Sequence, residues 1–428
     1  KFYERRARRI LPALFFLMAI CVPFAWVWLW PRDMQAFSQS LSAVSVFASN
    51  ILFWRQSGYF DTAGELKPLL HTWSLAVEEQ FYILFPLLLL LIWGLGKRRI
   101  LAVLVVLSVV SLGIAHVWAE TKPNAAIYLL TTRGWEILVG ALAAFYFNKL
   151  PRSSPAGPLE EVLGFCGLAL IASAVFLFDK TSPFPSLFTL VPTVGALLIF
   201  LCAHDGTITN HLLRVRVLVG IGLISYSAYL WHQPLLAFAR HRSVVEPSIQ
   251  LLSVLCVLTI PIAYLSWRFV GQPFRDRNRF DRNTVFASSG VLAVAFLAFG
   301  MWGHASKGFP ARVDDEIKGI LKYADDRNPD TLKCSSSAAH GYLAPDEACT
   351  LGAENNVIGV LMGDSHSNAL AYALSEDLKE SGVGVHHMWY SNCPPVTGLY
   401  RVDKTANNEC DRYNTEAFER LENDPALK

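Results

Sequence analysis

His71-Thr72-Trp73-Ser74-Leu75-Ala76-Val77-Glu78-Glu79-Gln80-Phe81-Tyr82 runs directly into an apolar block that ends at Leu95. The uninterrupted apolar run after Gln80 is 15 residues, whereas a helix needs about 20 to cross the hydrocarbon of a bilayer. The span therefore borrows from its polar side. On a helix, His71, Ser74, Glu78 and Tyr82 fall on one stripe with Glu79 beside it. Ionisable groups at membrane depth are costly and usually face a bundle interior or a wet cavity, so the stripe is a candidate functional site. The plainer reading is an interfacial helix start, with Pro68 in the first turn, Trp73 as an aromatic anchor and the glutamates in water.

With 53% hydrophobic and 17% charged residues and 12 Trp, the chain has the composition of an integral membrane protein. The net charge of +2 carries no nucleic-acid signal, because the basic residues sit in short clusters between apolar runs. Lys1 opens the chain inside one such cluster without a signal-peptide pattern, as in a fragment of a longer product. Nine segments have the length and apolarity of spans: 10–30, 70–95, 100–118, 126–147, 158–178, 184–203, 217–238, 249–270 and 284–303. Phe37 to Trp54, interrupted by serines and Asn50, reads as an interfacial or re-entrant helix. Loops on the Lys1 side carry 16 Lys+Arg and those on the other side 7. By the positive-inside rule the start is cytoplasmic and everything after about Gly303 lies outside.

That outer part is polar and loop-like over 306–356. A strand signal follows at Val357 to Met362, then Gly363-Asp364-Ser365-His366, a helical stretch from Ser367 to about Glu380, and a second strand at Val383 to Tyr390. Strand, tight turn, helix and strand make a βαβ unit, so the fold class is a mainly α membrane bundle followed by the start of an α/β domain. Cys21, Cys166, Cys202 and Cys256 lie in or beside apolar spans and read as small buried thiols. Cys334, Cys349, Cys393 and Cys410 all fall in the exported part. Of their three connectivities the sequential one is expected, Cys334 with Cys349 and Cys393 with Cys410. A zinc site would need tighter Cys-x-x-Cys spacing, and no metal is expected.

The Gly363 to His366 turn exposes a hydroxyl at a helix N-terminus, where backbone N–H groups can stabilise an oxyanion. A serine nucleophile also needs a base and an orienting acid. His366 is too close in sequence to bend back onto Ser365, and His386 and His387, placed on a strand, are weak candidates. A simple helix cap by Asp364 and Ser365 competes with the catalytic reading.

Val360 to Leu370 resembles block I of the SGNH (GDSL-like) hydrolase and acyl-ester transferase family, a flavodoxin-like fold, with Ser365 at the nucleophile position. The resemblance implies an oxyanion hole from the serine N–H, a glycine and an asparagine, and a triad completed by an Asp-x-x-His pair. No Asp-x-x-His occurs in this chain, and the missing pair is expected beyond Lys428. The membrane part resembles the acyltransferase-3 family of bacterial membrane O-acyltransferases, often fused to an SGNH domain. Five stretches carry this in order: Phe2 to Pro12, Leu70 to Pro86, Arg133 to Gly140, Ser225 to His232, and Arg268 to Phe274. The resemblance implies ten spans plus an eleventh that delivers the SGNH domain. Nine spans starting in the cytoplasm then fit the loss of two at the N-terminus, along with the family's proposed catalytic histidine. Boundaries follow: 1–283 acyltransferase domain, 284–305 added span, 306–356 linker, 357–428 partial SGNH domain.

Roles can be laid on the remaining residues. Arg6 and Arg9, with Arg5 and Arg8, match the family's arginine motif and would pair with the phosphates of acetyl-coenzyme A; the alternative is a plain positive-inside anchor. Arg133 and Glu136, three apart inside a span, pair with one another at least and line the acyl-transfer cavity at most. Ser225 and His232 share a face and join Tyr82 in that cavity, while His71, Glu78, Glu79 and Ser225 are candidate catalytic groups. The topology puts the His71–Tyr82 stripe at the outer face, away from Arg6 and Arg9. The expected function is an inner-membrane O-acyltransferase moving acetyl from coenzyme A to a cell-envelope glycan, lipopolysaccharide O-antigen first and peptidoglycan second. A membrane carrier with a binding-only outer domain, or an outer esterase, are the readings from other classes.

Overall fold

The computed structural model describes residues 2–58, 62–147, 157–179, 182–243, 245–323, 328, 331, 333–336, 341–398 and 409–424. The loop cations Lys149, Arg152 and Lys180 of the charge count lie outside the described residues. The chain divides into two units, Lys1–Arg312 and Val313–Lys428.

The first unit is a helical bundle. In chain order it contains α1 (Phe2–Trp28), α2 (Pro31–Ser45), α3 (Ser49–Arg55), α4 (Thr72–Ile92), α5 (Lys97–Thr121), α6 (Pro123–Tyr128), α7 (Leu130–Phe147), α8 (Pro158–Leu177), α9 (Leu190–Cys202), α10 (Ile208–Leu213), α11 (Arg216–Arg242), α12 (Ile249–Ser266), α13 (Gln272–Arg275) and α14 (Arg282–Ala305). A helix occupies each of the nine expected span positions. Among the described residues six are long and apolar enough to cross a membrane: α1, α4 extended to Leu95, α5, α8, α12 carried on to Arg275, and α14. α7, α9 and α11 fall short in length or apolarity. The protein is a multi-pass membrane protein. Pro12, Pro23, Pro86, Pro234 and Pro261 sit inside these helices, which neighbouring helices make tolerable in a membrane bundle.

α1 is the hub. Its Leu14, Leu17, Met18, Cys21 and Ala25 are fully enclosed, packed with Met34, Phe37 and Leu41 of α2, Leu230 of α11 and Phe296 of α14. α2 and α3 occupy the stretch read as an interfacial or re-entrant helix, and α2 is built into the bundle against α14. Three of its serines return their protons to the preceding turn, Ser38 to the Met34 carbonyl (2.7 Å), Ser40 to Ala36 (2.9 Å) and Ser45 to Leu41 (2.8 Å), and Ser42 donates across to the Leu297 carbonyl of α14 (3.4 Å). The stretch breaks at Phe47, whose φ of 53° reverses the chain into α3. On the α14 side, Gly300 and Gly303 leave no room for a Cβ, which would overlap Ser42 and Ser38. This is the small-residue contact that lets membrane helices approach closely. Gly300→Val should therefore cost the detergent-solubilised protein at least about 3 kcal/mol by overpacking. Gly290→Val, on the same helix with nothing within 4 Å of its Cβ position, should leave the thermal midpoint in place.

Cysteines in the bundle divide. Cys21 and Cys202 are buried as expected, but Cys166 and Cys256 are exposed on its surface, and all four are free.

The second unit contains α15 (Asp315–Tyr323), β1 (Thr350–Gly352), β2 (Val357–Gly363), α16 (Ser365–Glu380), β3 (Gly384–Trp389) and α17 (Glu409–Asn423). Strand order is β1-β3-β2. β2 and β3 are parallel, with Gly363 beside Trp389, so the expected βαβ unit is present with α16 as its crossover. β1 pairs antiparallel with β3, so the segment read as loop up to residue 356 contributes a strand to the sheet. Alternation along β3 sends Met388 and Tyr390 to a core with Tyr413 and Ala417 of α17, and His387 to the α16 side. Both disulfides have the expected pairing, Cys334–Cys349 and Cys393–Cys410, each with 5.6 Å between Cα atoms.

Candidate functional site

Polar groups meet in the bundle where α1, α4 and α11 come together. α11 carries Tyr226, Tyr229 and Gln233 at helical spacing. Tyr226 donates from its hydroxyl to the Ile10 carbonyl (3.0 Å), Phe16 meets Trp231 (6.2 Å between ring centroids) and Trp28 meets Phe238 (5.7 Å). Together these contacts set α1 and α11 side by side in the same direction. Tyr229 in turn donates to the His71 carbonyl (2.5 Å). One turn above Tyr226, it places His71 near the middle of α1 and not at its far end.

His71 reaches that depth because the segment before it, a 3-10 turn at Gly64–Leu66 and the turns that follow, is hung on α11. His241 Nε2 donates to the Leu66 carbonyl (2.8 Å), and Gln233 Nε2 donates to those of Lys67 (3.1 Å) and Gly64 (3.4 Å). Irregular backbone is tolerable at membrane depth only where protein satisfies it in this way. The His71 ring is 7% exposed and stands edge-on to Tyr229 (5.1 Å) and His232 (5.4 Å). His232 donates from Nδ1 to the Tyr229 carbonyl (2.6 Å). Among the described residues neither nitrogen of His71 has a hydrogen-bond partner, and a buried polar atom left unpaired costs about 1–3 kcal/mol. Ser74 Oγ lies 2.9 Å from the Tyr229 hydroxyl.

Lower on α4, the Arg6 guanidinium lies over the Tyr82 ring at 4.1 Å, a cation–π contact. The field of Arg6 and Arg9 reaches Glu78, and that of Arg6 reaches Glu79. One oxygen of Glu79, Oε1, is buried without a partner among the described residues. This overturns the placement of the stripe at the outer face, remote from Arg6 and Arg9: sinking of residues 64–71 along α11 carries it down to the arginines. The four arginines also separate. Arg5 and Arg9 are exposed, whereas buried Arg8 donates to Glu4 Oε1 (3.0 Å) and to the carbonyls of Phe274 (3.2 Å) and Phe280 (2.8 Å). Its guanidinium pins α1 to the 274–280 turn and is committed to protein partners.

Arg133 pairs with Glu136 (2.7 Å) between the rings of Trp73 (5.3 Å) and Phe184 (4.8 Å), so the expected mutual pairing is present. Ser225 does not join His232. It is exposed on α11 and donates back to the Gly222 carbonyl (2.8 Å).

In the second unit, β2 ends at Gly363 and Asp364 caps α16. The Asp364 carboxylate accepts from the His366 N–H (2.9 Å) and lies 2.9 Å from its Nδ1. Burial raises the Asp364 pKa, but the hydrogen bonds from His366 outweigh it and hold the carboxyl below its ordinary value. Ser365 is the first helical residue, half-buried, and its hydroxyl makes no hydrogen bond among the described residues. Ser367 Oγ donates to the Asp364 carbonyl (2.8 Å) and lies 3.1 Å from His387 Nε2. A Cβ on Gly363 would come within 2.7 Å of Ser367, so the turn needs glycine there. His387 thus supports the turn through Ser367 and is not the base of Ser365, and His386 is turned to Thr350 Oγ1 (3.2 Å).

The acyltransferase domain family matches residues 1–268, and the SGNH domain (fused to AT3 domains) matches residues 333–428. This chain belongs to the acyltransferase-3 family. Among its relatives, the Staphylococcus aureus O-acetyltransferase OatA is 28% identical over 289 residues, covering 65% of this chain and 47% of the relative. The Bacillus subtilis putative peptidoglycan O-acetyltransferase YrhL is 30% identical over 296 residues, covering 64% and 45%. The Listeria monocytogenes peptidoglycan O-acetyltransferase OatA is 30% identical over 291 residues, covering 64% and 46%. The chain thus spans about half the length of the curated relatives it matches. No solved structure matches it.

Within this acyltransferase-3 chain, the residues that motif reading passed over are Tyr226, Tyr229 and Gln233. Their spacing of three and four was a helical stripe available in the sequence. In the SGNH unit, burial of His387 pushes its pKa down to about 4. A lowered histidine pKa means that the unfolded chain takes up the proton first, so stability is complete above pH 6.5 and falls as the pH drops towards 4. The total loss is about 3 kcal/mol at about 1.4 per unit. Hydrogen exchange along β3 should accelerate across that window, and His387→Gln should flatten this part of the pH dependence.

Proposed function

We propose that this protein moves an acetyl group from acetyl-coenzyme A across the inner membrane and onto a hydroxyl of a cell-envelope glycan. The observation that carries the reading is the continuous polar line from Arg6 and Arg9, past Tyr82, Glu79 and Glu78, to the unpaired ring of His71 beside Tyr229 and His232. Arg6 and Arg9, with Arg5 nearby, would take the phosphates of the coenzyme on the side of the bundle where the cation excess places the cytoplasm. Glu79 and His71, each with a buried atom awaiting a partner, are the groups to hold and move the proton during acyl transfer. Arg133 and Glu136 would border that path, and Ser225 and Arg8 are left out of it. On the exported side Ser365, at the N-terminus of α16, would accept the acetyl as an ester and pass it on.

For the acceptor, relatives named as peptidoglycan O-acetyltransferases put peptidoglycan ahead of lipopolysaccharide O-antigen. The test is labelled acetyl-coenzyme A supplied to the purified full-length protein in vesicles, with peptidoglycan strands and O-antigen offered separately. Label on Ser365 and then on peptidoglycan supports the reading. Label that never reaches protein or glycan overturns it, and label on O-antigen alone reverses the acceptor.

A further inference from the structure

α16 carries a stripe that starts at Ser365 and recurs at residues 368, 372, 375 and 379. Its lower part, Tyr372, Ser375 and Lys379, lines a cavity of about 350 Å³ in the SGNH unit, large enough for a small ligand. Asn328, also in the lining, donates to Asn368 (2.8 Å) and links the cavity to the Ser365 end of the helix. The Cys334–Cys349 disulfide and Thr350 line it as well, so part of the wall is covalently fixed before anything binds.

The chemistry of the lining selects its occupant. Lys333 and Lys379 are matched by Glu354 and Glu376, and Lys379 is bound to Glu376 at 2.8 Å, so the cavity has no net charge to attract an anion or a cation. Ser375 Oγ accepts from the Gly352 N–H (3.1 Å), which leaves its own proton to give. His387 forms part of the lining as well. Tyr372 offers a ring that is 52% exposed. An uncharged, hydroxyl-rich ligand with an apolar ring face matches all of these.

We propose that this cavity is a subsite for one neutral sugar unit of the acceptor glycan, about 10 Å along α16 from Ser365 at 1.5 Å per residue. This rests on the transfer reading above. A glycan chain seated on Tyr372 lies along α16 and brings a neighbouring sugar's hydroxyl to Ser365, so the protein acts on a polymer and not on a free monosaccharide.

The experiment compares wild type, Tyr372→Ala and Tyr372→Phe in the full-length protein. The acceptor probe is a β-1,4-linked N-acetylglucosamine tetramer, and hydrolysis of a small aromatic acetyl ester reports on Ser365 alone. Tyr372→Ala should raise the tetramer KM roughly tenfold, the worth of one aromatic contact, with ester hydrolysis unchanged, and Tyr372→Phe should restore it. An unchanged KM, or an equal fall in both reactions, overturns the subsite. If the wild type transfers no acetyl at all, the transfer reading has failed, and tetramer binding by saturation-transfer NMR still decides the cavity: contact with Tyr372 that is lost in Tyr372→Ala upholds it, and no contact overturns it.

Discussion

Ser365→Ala should lower acetyl transfer to the glycan by about 10³-fold or more, since removal of a nucleophile leaves only the catalysis of binding and oxyanion contacts. The substitution is unusually clean. The hydroxyl makes no hydrogen bond among the described residues, and the cap of α16 belongs to Asp364, so the helix start survives. Stability should therefore stay within about 0.5 kcal/mol of wild type. Mass spectrometry of glycan from cells carrying the variant reads the outcome in one measurement. A fall shows that the SGNH domain transfers. A rise would show that it removes acetyl groups, and would convert the outer domain into an esterase.

His71→Gln should slow labelling of the protein by acetyl-coenzyme A by about 10²–10⁴-fold, the usual contribution of a positioned acid or base. The hydrogen bond from Tyr229 goes to the His71 backbone carbonyl and is retained, so the segment stays anchored while the imidazole is lost. Coenzyme binding should persist in this variant. Arg6→Ala should show the converse, weaker coenzyme binding with little change in the rate at saturation. Equal losses of binding in both variants would mean that His71 serves structure and not chemistry.

The helices at the nine expected span positions were readable because apolar length is a local property, and the βαβ turn at Ser365 was readable because glycine, cap and strand signals are adjacent in the chain. The packing of α2 was hidden for a physical reason: Ser38, Ser40 and Ser45 hide their polarity by bonding carbonyls within the same helix, and Gly300 and Gly303, against which Ser42 and Ser38 pack, lie in a distant segment. The depth of His71 was equally out of reach. It is fixed by bonds to Tyr229, Gln233 and His241, each more than 150 residues away, and nothing within 56–71 announces them. Arg8 sits in the same cluster as Arg6 and Arg9, the more natural match to the arginine motif, and its orientation into the 274–280 turn depends on how α1 rotates against its neighbours.

The suspended segment 64–71 also has a thermodynamic meaning. Four hydrogen bonds from α11 at about 1 kcal/mol each, and the enclosed Leu69 at about 2 kcal/mol, hold it against that helix. Lifting it would cost about 6 kcal/mol, so in the resting protein fewer than one molecule in about ten thousand has it released. A ligand that displaces it must do so through affinity it gains only in the displaced state.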